Sequence, residues 1–352
     1  MTPGRIDVHT HILPSPRDWP KFASRTADAR WVTIESTGSC CARLIHDGRS
    51  FREIDDRCWD PARRLRDCED FGVAVQALST VPVMFSYWAP PREALDVARW
   101  LNDHIADICR ARPDRFVGLG TLPLQDPDRA CAELERCMGK LGLRGVQIGT
   151  HINGWNLDEP ALFPVLERAA ALGAAVFVHP WDMMGRTEMP RYFLPWLVGM
   201  PAETSRAICS VIFGGVLDRL PSLRLCFAHG GGAFPGTLGR IEAGYRSRPD
   251  LCAANNCKSP RTYLRGESGA HPARFFVDSL THDADALRLL LRLFGADRIA
   301  FGSDYPFPLG EDRPGALIDS MTDLADKERR RLLHDSAAEF LAIGKPSRVA
   351  AC

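Results

Sequence analysis

The stretch Ile6-Asp7-Val8-His9-Thr10-His11 reads as a β-strand that ends in two histidines one residue apart. Side chains alternate faces along a strand, so His9 and His11 point to the same side, where two imidazoles can bind one metal ion. Taken alone, His-x-His also arises as a chance pair on a surface strand, and the rest of the chain has to decide. Beyond this first run, over 6–10, seven more runs rich in β-branched and apolar residues follow, at 73–79, 116–122, 145–148, 175–179, 223–229, 275–279 and 299–304. Helical patterns separate them, the signature of βα units and a parallel sheet. Eight such runs predict an α/β fold, a closed (β/α)8 TIM barrel. His9 and His11 then stand at the carboxyl end of the first strand, the face on which such barrels carry their active sites.

The segments between the strands carry their own start and stop signals. Asp60-Pro61 and Asp126-Pro127 each offer a side-chain acceptor at the N-cap and a proline at the first helical position. Gly142 and Gly173 supply stops just before predicted strands. Ala94, Val97, Ala98, Leu101, Ile105 and Ile108 form one apolar stripe, as expected of a helix on a barrel wall. Residues 12–59 break the rhythm with short polar segments, and Asp47-Gly48 is a good hairpin turn. They are expected to form a small antiparallel insertion after strand 1. With no repeat, low-complexity tract or linker in sight, residues 1–352 are expected to make a single domain.

The 352 residues include 44 Lys and Arg against 44 Asp and Glu, so the formal net charge is zero. Nucleic acid and anionic membranes select a clustered basic excess, and neither is expected as a partner. At 45% hydrophobic and 25% charged, the chain has ample material for a large core. Its longest apolar stretch, near 193–200, is interrupted by Pro195 and is far short of a bilayer span of about 20 residues. No leader-like segment precedes Ile6, and the twelve cysteines include no C-x-x-C pair. Free thiols in a reducing cytoplasm are expected.

His179 closes the run 175–179, His229 closes 223–229 and Asp304 closes 299–304. Desolvating an ionisable group without a partner is costly, so polar ends on four otherwise apolar strands point to convergence on one site. Three imidazoles and a carboxylate suit zinc and admit other divalent metals. Residue types alone fix neither the number of ligands nor which group stays unbound.

The same residues resemble the amidohydrolase superfamily and, within it, the metal-dependent decarboxylases. The resemblance covers nearly the whole chain, including 75–88, 177–183, 194–201, 229–235 and 303–311. It implies zinc ligands at His9, His11, His179 and Asp304, and an acid/base histidine, His229, that is not a ligand. It also implies that Arg52 holds a substrate carboxylate and that Arg240 reaches into the neighbouring site of a homodimer. Read without the family, each arginine is a solvated surface charge. A guanidinium grips a carboxylate through two parallel hydrogen bonds, which suits both for a dianionic substrate. Trp181 and Trp196 can pack against a planar conjugated substrate or, equally, against the barrel rim. The implied activity is zinc-dependent, O2-independent decarboxylation of a conjugated semialdehyde of tryptophan catabolism, without an organic cofactor.

Two features depart from the family pattern. His46-Asp47-Gly48 stands where the family has Lys-Asp-Gly, and a histidine is a weaker cation at neutral pH. The stretch 261–274, with Gly266, Gly269 and Pro272, is expected to be a surface insertion. A metal-dependent hydrolase or lactonase, a decarboxylase of phenolic acids, or a non-catalytic scaffold are the competing readings, because a fold does not decide a reaction. Phosphate-cofactor and Ser-His-Asp readings lack their motifs: Gly230-Gly231-Gly232 has no G-x-G-x-x-G or G-K-[ST] context, and no G-x-S-x-G elbow occurs.

Overall fold

A computed structural model describes residues 4–19 and 30–344. Residues 20–29 of the expected insertion, and Cys352, lie outside the described residues. Among those described, eight parallel strands form one sheet: β1 (Arg5–His11), β5 (Val73–Ser79), β6 (Phe116–Gly120), β7 (Gly145–Gly149), β10 (Ala175–His179), β11 (Arg224–Phe227), β12 (Phe276–Asp278) and β13 (Ile299–Ala300). Each pairs in parallel with the next. The ring closes where Val8 N–H donates to Phe301 C=O at 2.9 Å, Asp304 N–H to His9 C=O at 2.9 Å and His11 N–H to Tyr305 C=O at 2.9 Å. The expected TIM barrel is thus observed.

Local signals act as the sequence predicts. Helix α1 (Pro61–Phe71) begins where the Asp60 side chain accepts from Ala62 N–H, and it ends at Gly72, whose left-handed φ of 68° suits glycine. The long α2 (Pro91–Ala111) buries Ala94, Val97, Leu101, Ile105 and Ile108 along one face. Asp126 caps α3 (Pro127–Glu135), and Gly173 ends α4 (Phe163–Leu172). Helices α5 (Met200–Phe213), the short α6 (Val216–Arg219), α7 (Phe234–Ser247), the short α8 (Pro249–Cys252) and α9 (Ala284–Phe294) continue around the wall. None of the helices described is long and apolar enough to cross a membrane, and every described cysteine is a free thiol.

Between β1 and α1 lies a three-stranded antiparallel sheet of β2 (Thr33–Ser36), β3 (Cys41–His46) and β4 (Arg49–Asp55). Its β3–β4 turn is Asp47-Gly48, both with positive φ (53° and 66°), the two-residue hairpin geometry that asparagine, aspartate and glycine favour. A tiny hairpin, β8 (His151–Ile152) with β9 (Trp155–Asn156), follows β7.

Several strands are shorter than the predicted runs, among them β6, which ends at Gly120, β11 at Phe227 and β13 at Ala300. His229 and Asp304, in left-handed backbone at φ 56° and 58°, lie beyond the regular ladder. The 261–274 stretch is exposed along most of its length, but Tyr263, Leu264 and Ala273 are buried in the core and anchor it.

Arg64, on α1, is fully buried. It donates to His11 C=O (2.7 Å), Arg57 C=O (3.0 Å), Thr10 Oγ1 (2.9 Å) and Gln76 Oε1 (3.1 Å), and its guanidinium lies 4.8 Å from the Tyr305 ring centroid. One side chain therefore fixes the carboxyl end of β1. Arg64→Met leaves several of these acceptors buried without a donor, at about 1–3 kcal/mol each. Urea denaturation is expected to show a loss of about 3 kcal/mol or more; a loss under about 1 kcal/mol contradicts this role.

Candidate active site and metal centre

The alternation of β1 sends His9 and His11 to one face, and the carboxyl end of β10 adds His179. Asp304 arrives from the turn after β13, where its N–H bonds back to His9 C=O. One ligand atom from each of the four lies within 4.8 Å of the others. Two ligands about 2.1 Å from one ion stand about 3.4 Å apart at a tetrahedral angle and about 4.2 Å apart when opposite, so a small inward movement suffices.

The proton arrangement on the rings favours an ion. His11 Nδ1 lies 3.0 Å from Thr80 C=O and His179 Nδ1 lies 3.0 Å from Pro180 C=O, while His9 Nδ1 lies 2.7 Å from Asp278 Oδ2. Each of these acceptors demands a proton on Nδ1 and leaves a lone pair on Nε2. The three Nε2 atoms are buried and have no hydrogen-bond partner. His11 Nε2 and His9 Nε2 approach the same Asp304 Oδ1, at 3.1 and 3.6 Å. Lone pairs converging on a carboxylate fit a divalent cation, with manganese and zinc both compatible with this donor set.

Backbone contacts hold this set in place. Asp7, fully buried, accepts from His9 N–H and Ser303 N–H, each at 3.1 Å, and from Ser303 Oγ. It ties β1 to the turn that carries Asp304. Ser79 Oγ donates to Gln147 Oε1 at 2.7 Å, and Gln147 Nε2 donates to Thr80 C=O at 2.9 Å, so the carbonyl that orients His11 is itself held.

His229 stands beside the cluster, its ring centroid 5.2 Å from His9 and 5.0 Å from His179. It lines the cavity that opens above the cluster, about 350 Å³ in volume. Burial first, then the neighbouring His9, pushes its pKa down to about 4, so the imidazole is neutral near pH 7 and able to accept a proton.

Arg52 lines the same cavity from β4, its guanidinium 4.2 Å from the Phe307 ring centroid. It makes no hydrogen bond or ion pair with any described residue. In the β3–β4 ladder Leu44 opposes Arg52 and Ile45 opposes Ser50, so Phe51 is the extra residue of a bulge. Adjacent strand residues normally face opposite sides; the bulge lets both Phe51 and Arg52 line the cavity. Trp181 and Trp196 also line it, Trp181 edge-on to Phe51 at 5.7 Å and Trp196 stacked on Phe193 at 4.5 Å. Arg240 is not brought to this cavity; it lies exposed on α7. Sequence reasoning missed the bulge and Asp278, although one charged residue inside Phe275-Phe276-Val277-Asp278-Ser279 was a signal of the kind already used for Asp304.

A closed parallel barrel with histidines gathered at its carboxyl face defines the class, and the chain belongs to the amidohydrolase family, whose profile, described as Amidohydrolase, matches residues 6–343. It is 52% identical to the 2-amino-3-carboxymuconate-6-semialdehyde decarboxylase of Dictyostelium discoideum, over 96% of this chain and 92% of that protein. It is 36% identical to the enzyme of the same name from Caenorhabditis elegans, over 96% and 94%. Among solved structures, the 5-carboxyvanillate decarboxylase of Novosphingobium aromaticivorans, complexed with manganese, has a TM-score of 0.77 at 23% identity and covers 96% of each chain, a likeness of fold. The chain is a carboxy-lyase of the metal-dependent decarboxylase kind.

Protein purified without chelators is expected to carry one divalent ion per chain by mass spectrometry of the metal content. His179→Ala and Asp304→Ala are each expected to lose most of it while keeping the far-ultraviolet circular dichroism of the parent. Full metal content in both variants would exclude these donors.

Proposed function

We propose that this enzyme converts 2-amino-3-carboxymuconate 6-semialdehyde to 2-aminomuconate 6-semialdehyde and CO2 in the cytoplasmic breakdown of tryptophan, drawing that compound away from quinolinate and NAD synthesis. The observation that carries the reading is 52% identity to a decarboxylase of that substrate across almost all of both chains. We take His9, His11, His179 and Asp304 as ligands of a zinc ion, with manganese the alternative. A divalent cation held there supplies Lewis acidity and positive charge beside the substrate.

The remaining chemistry belongs to the chain's own groups. Arg52, a guanidinium in the cavity wall without an ion-pair partner among the described residues, binds one carboxylate of the dianion through a fork of N–H donors. Trp181 and Trp196 give the planar conjugated chain flat apolar walls. His229, neutral at working pH, takes up a proton and returns it to the carbon that bears the departing carboxylate. That carbon becomes saturated, the bond to the carboxylate breaks, CO2 leaves, and the electron pair flows back into the conjugated system. The sum is one proton in and one CO2 out, with no net oxidation, so neither O2 nor an organic cofactor is consumed.

Arg240 would complete the carboxylate grip from a second copy. Support comes from the pocket mouth, where Phe193, Leu197 and Val198 are exposed. Beside them a groove of about 630 Å³ runs between Leu197, the first turn of α7 and Leu289 of α9. An apolar surface of this kind, next to the helix that bears Arg240, suits a homodimer.

Loss of the substrate chromophore with stoichiometric CO2 release is expected from the metal-loaded enzyme under nitrogen; lactone opening without CO2 would favour the hydrolase reading. His229→Ala is expected to retain its metal and lose a factor of about 10²–10⁴ in kcat. Co-expression of His229→Ala with Arg240→Ala tests the shared site: random pairing makes half of the dimers hybrid, each with one complete site, so roughly a quarter of the parent activity returns. Activity no greater than that of the separate variants would place Arg240 outside the neighbour's site.

A further inference from the structure

Asp278 closes β12 and is fully buried. Its Oδ2 lies 2.7 Å from His9 Nδ1. Its Oδ1 accepts from Gly230 N–H at 2.8 Å and from Leu280 N–H at 3.1 Å. We propose that Asp278 is a positioning residue whose two carboxylate oxygens divide the labour: one sets the tautomer of His9, and the other pins the backbone turn that presents His229.

A carboxylate accepts and does not donate, so His9 must carry its proton on Nδ1 and keep its Nε2 lone pair for the cluster. His11 and His179 obtain the same tautomer from main-chain carbonyls, of Thr80 and Pro180. Those carbonyls are unaffected by side-chain identity, whereas the His9 tautomer depends on one. On the other oxygen, the Gly230 N–H is the amide that follows His229, whose φ of 56° is a left-handed conformation unfavourable for a non-glycine residue. A buried charge-assisted hydrogen bond offsets that cost and keeps the turn in one conformation. The chain beyond β13 packs tightly on this pair: a Cβ on Gly302 would come within 2.8 Å of His9 Cβ and 2.9 Å of Asp278 Cβ, so glycine is required there.

The inference rests on the metal reading of the cluster, and two substitutions separate it from simple loss of charge or packing. In Asp278→Asn, an amide that keeps its oxygen on Gly230 and Leu280 aims its NH2 at His9 Nδ1. Two donors then oppose each other, which drives the ring proton to Nε2 and blocks ligation. A flipped amide accepts from His9 but turns donors toward Gly230 and Leu280 and releases the His229 turn. Asp278→Ala removes the same negative charge but leaves His9 free to choose its tautomer.

Apo proteins are titrated with Zn2+ against a chromophoric chelator, with the melting temperature of each apo form recorded. Asp278→Asn is expected to bind Zn2+ about 10–100-fold more weakly than the parent, and Asp278→Ala is expected to bind more tightly than Asp278→Asn. Zn2+ affinity and apo melting temperature of Asp278→Asn both equal to those of the parent, or Asp278→Ala weaker than Asp278→Asn as mere support would give, overturns the proposal; equal affinity with a lowered apo melting temperature is the result of the flipped amide, which releases the His229 turn. Should the parent itself take up no Zn2+, the metal reading fails instead, which the parent titration reports on its own. Should the variants not fold, 15N-histidine spectra of the parent apo protein decide. The ring identified by its loss in His9→Asn is expected as the Nδ1–H tautomer, and Nε2–H overturns the proposal.

Discussion

Three imidazole nitrogens with free lone pairs, buried side by side against a carboxylate and without a hydrogen-bond partner among the described residues, are the constraint on which the rest of this structure depends. A buried polar atom without a partner costs about 1–3 kcal/mol, so a donor cluster of this kind is a liability unless an ion meets it. The surrounding bonds are strong and local for that reason. Asp7 grips Ser303, Arg64 caps the carboxyl end of β1, and the closing hydrogen bonds of the barrel run through His9, His11 and Asp304 themselves. Closing the sheet and assembling the donors are one event.

The antiparallel sheet between β1 and α1 gives the barrel its mouth. A (β/α)8 core offers donors at its carboxyl face but few walls above them. Here the β3–β4 hairpin supplies one wall, and the bulge at Phe51 turns an aromatic ring and a guanidinium into the cavity together. An arginine so held, without an ion partner among the described residues, is a standing demand for an anion. The segment bearing Trp181, Phe193 and Trp196 packs against Phe51 and extends that wall. Cation, flat apolar walls and a neutral histidine then stand within one cavity, the set a conjugated carboxylate needs if it is to gain a proton and lose CO2.

Much of this was readable in the amino-acid order because it rests on period and punctuation. β5 and β10 occupy the predicted 73–79 and 175–179, and the Asp60 and Asp126 caps act where a side-chain acceptor precedes proline. The donor residues were readable because an ionisable group at the end of an apolar run is costly to bury unless a partner meets it there. What escaped depends on geometry that has no local signature. His229 and Asp304 sit in left-handed turns beyond shortened strands, a conformation imposed by bonds to Asp278 and to His9 from far away in the chain. The Phe51 bulge is a mismatch between two strands and cannot be seen in either alone. Asp278 looked like one polar residue in a strand until its two oxygens were found to have different partners. Arg240 is exposed in a single chain, and its meaning depends on a neighbour.

The central claim is that residues from β1, β10 and the turn after β13 share one ion. Anomalous diffraction at the absorption edge of the metal, on crystals of the protein purified without chelators, tests it most directly. The account predicts a single strong peak about 2.0–2.2 Å from Nε2 of His9, His11 and His179 and from the Asp304 carboxylate. A peak held by other residues, or no peak and Nε2 atoms hydrogen-bonded to Asp304 or water, would contradict it.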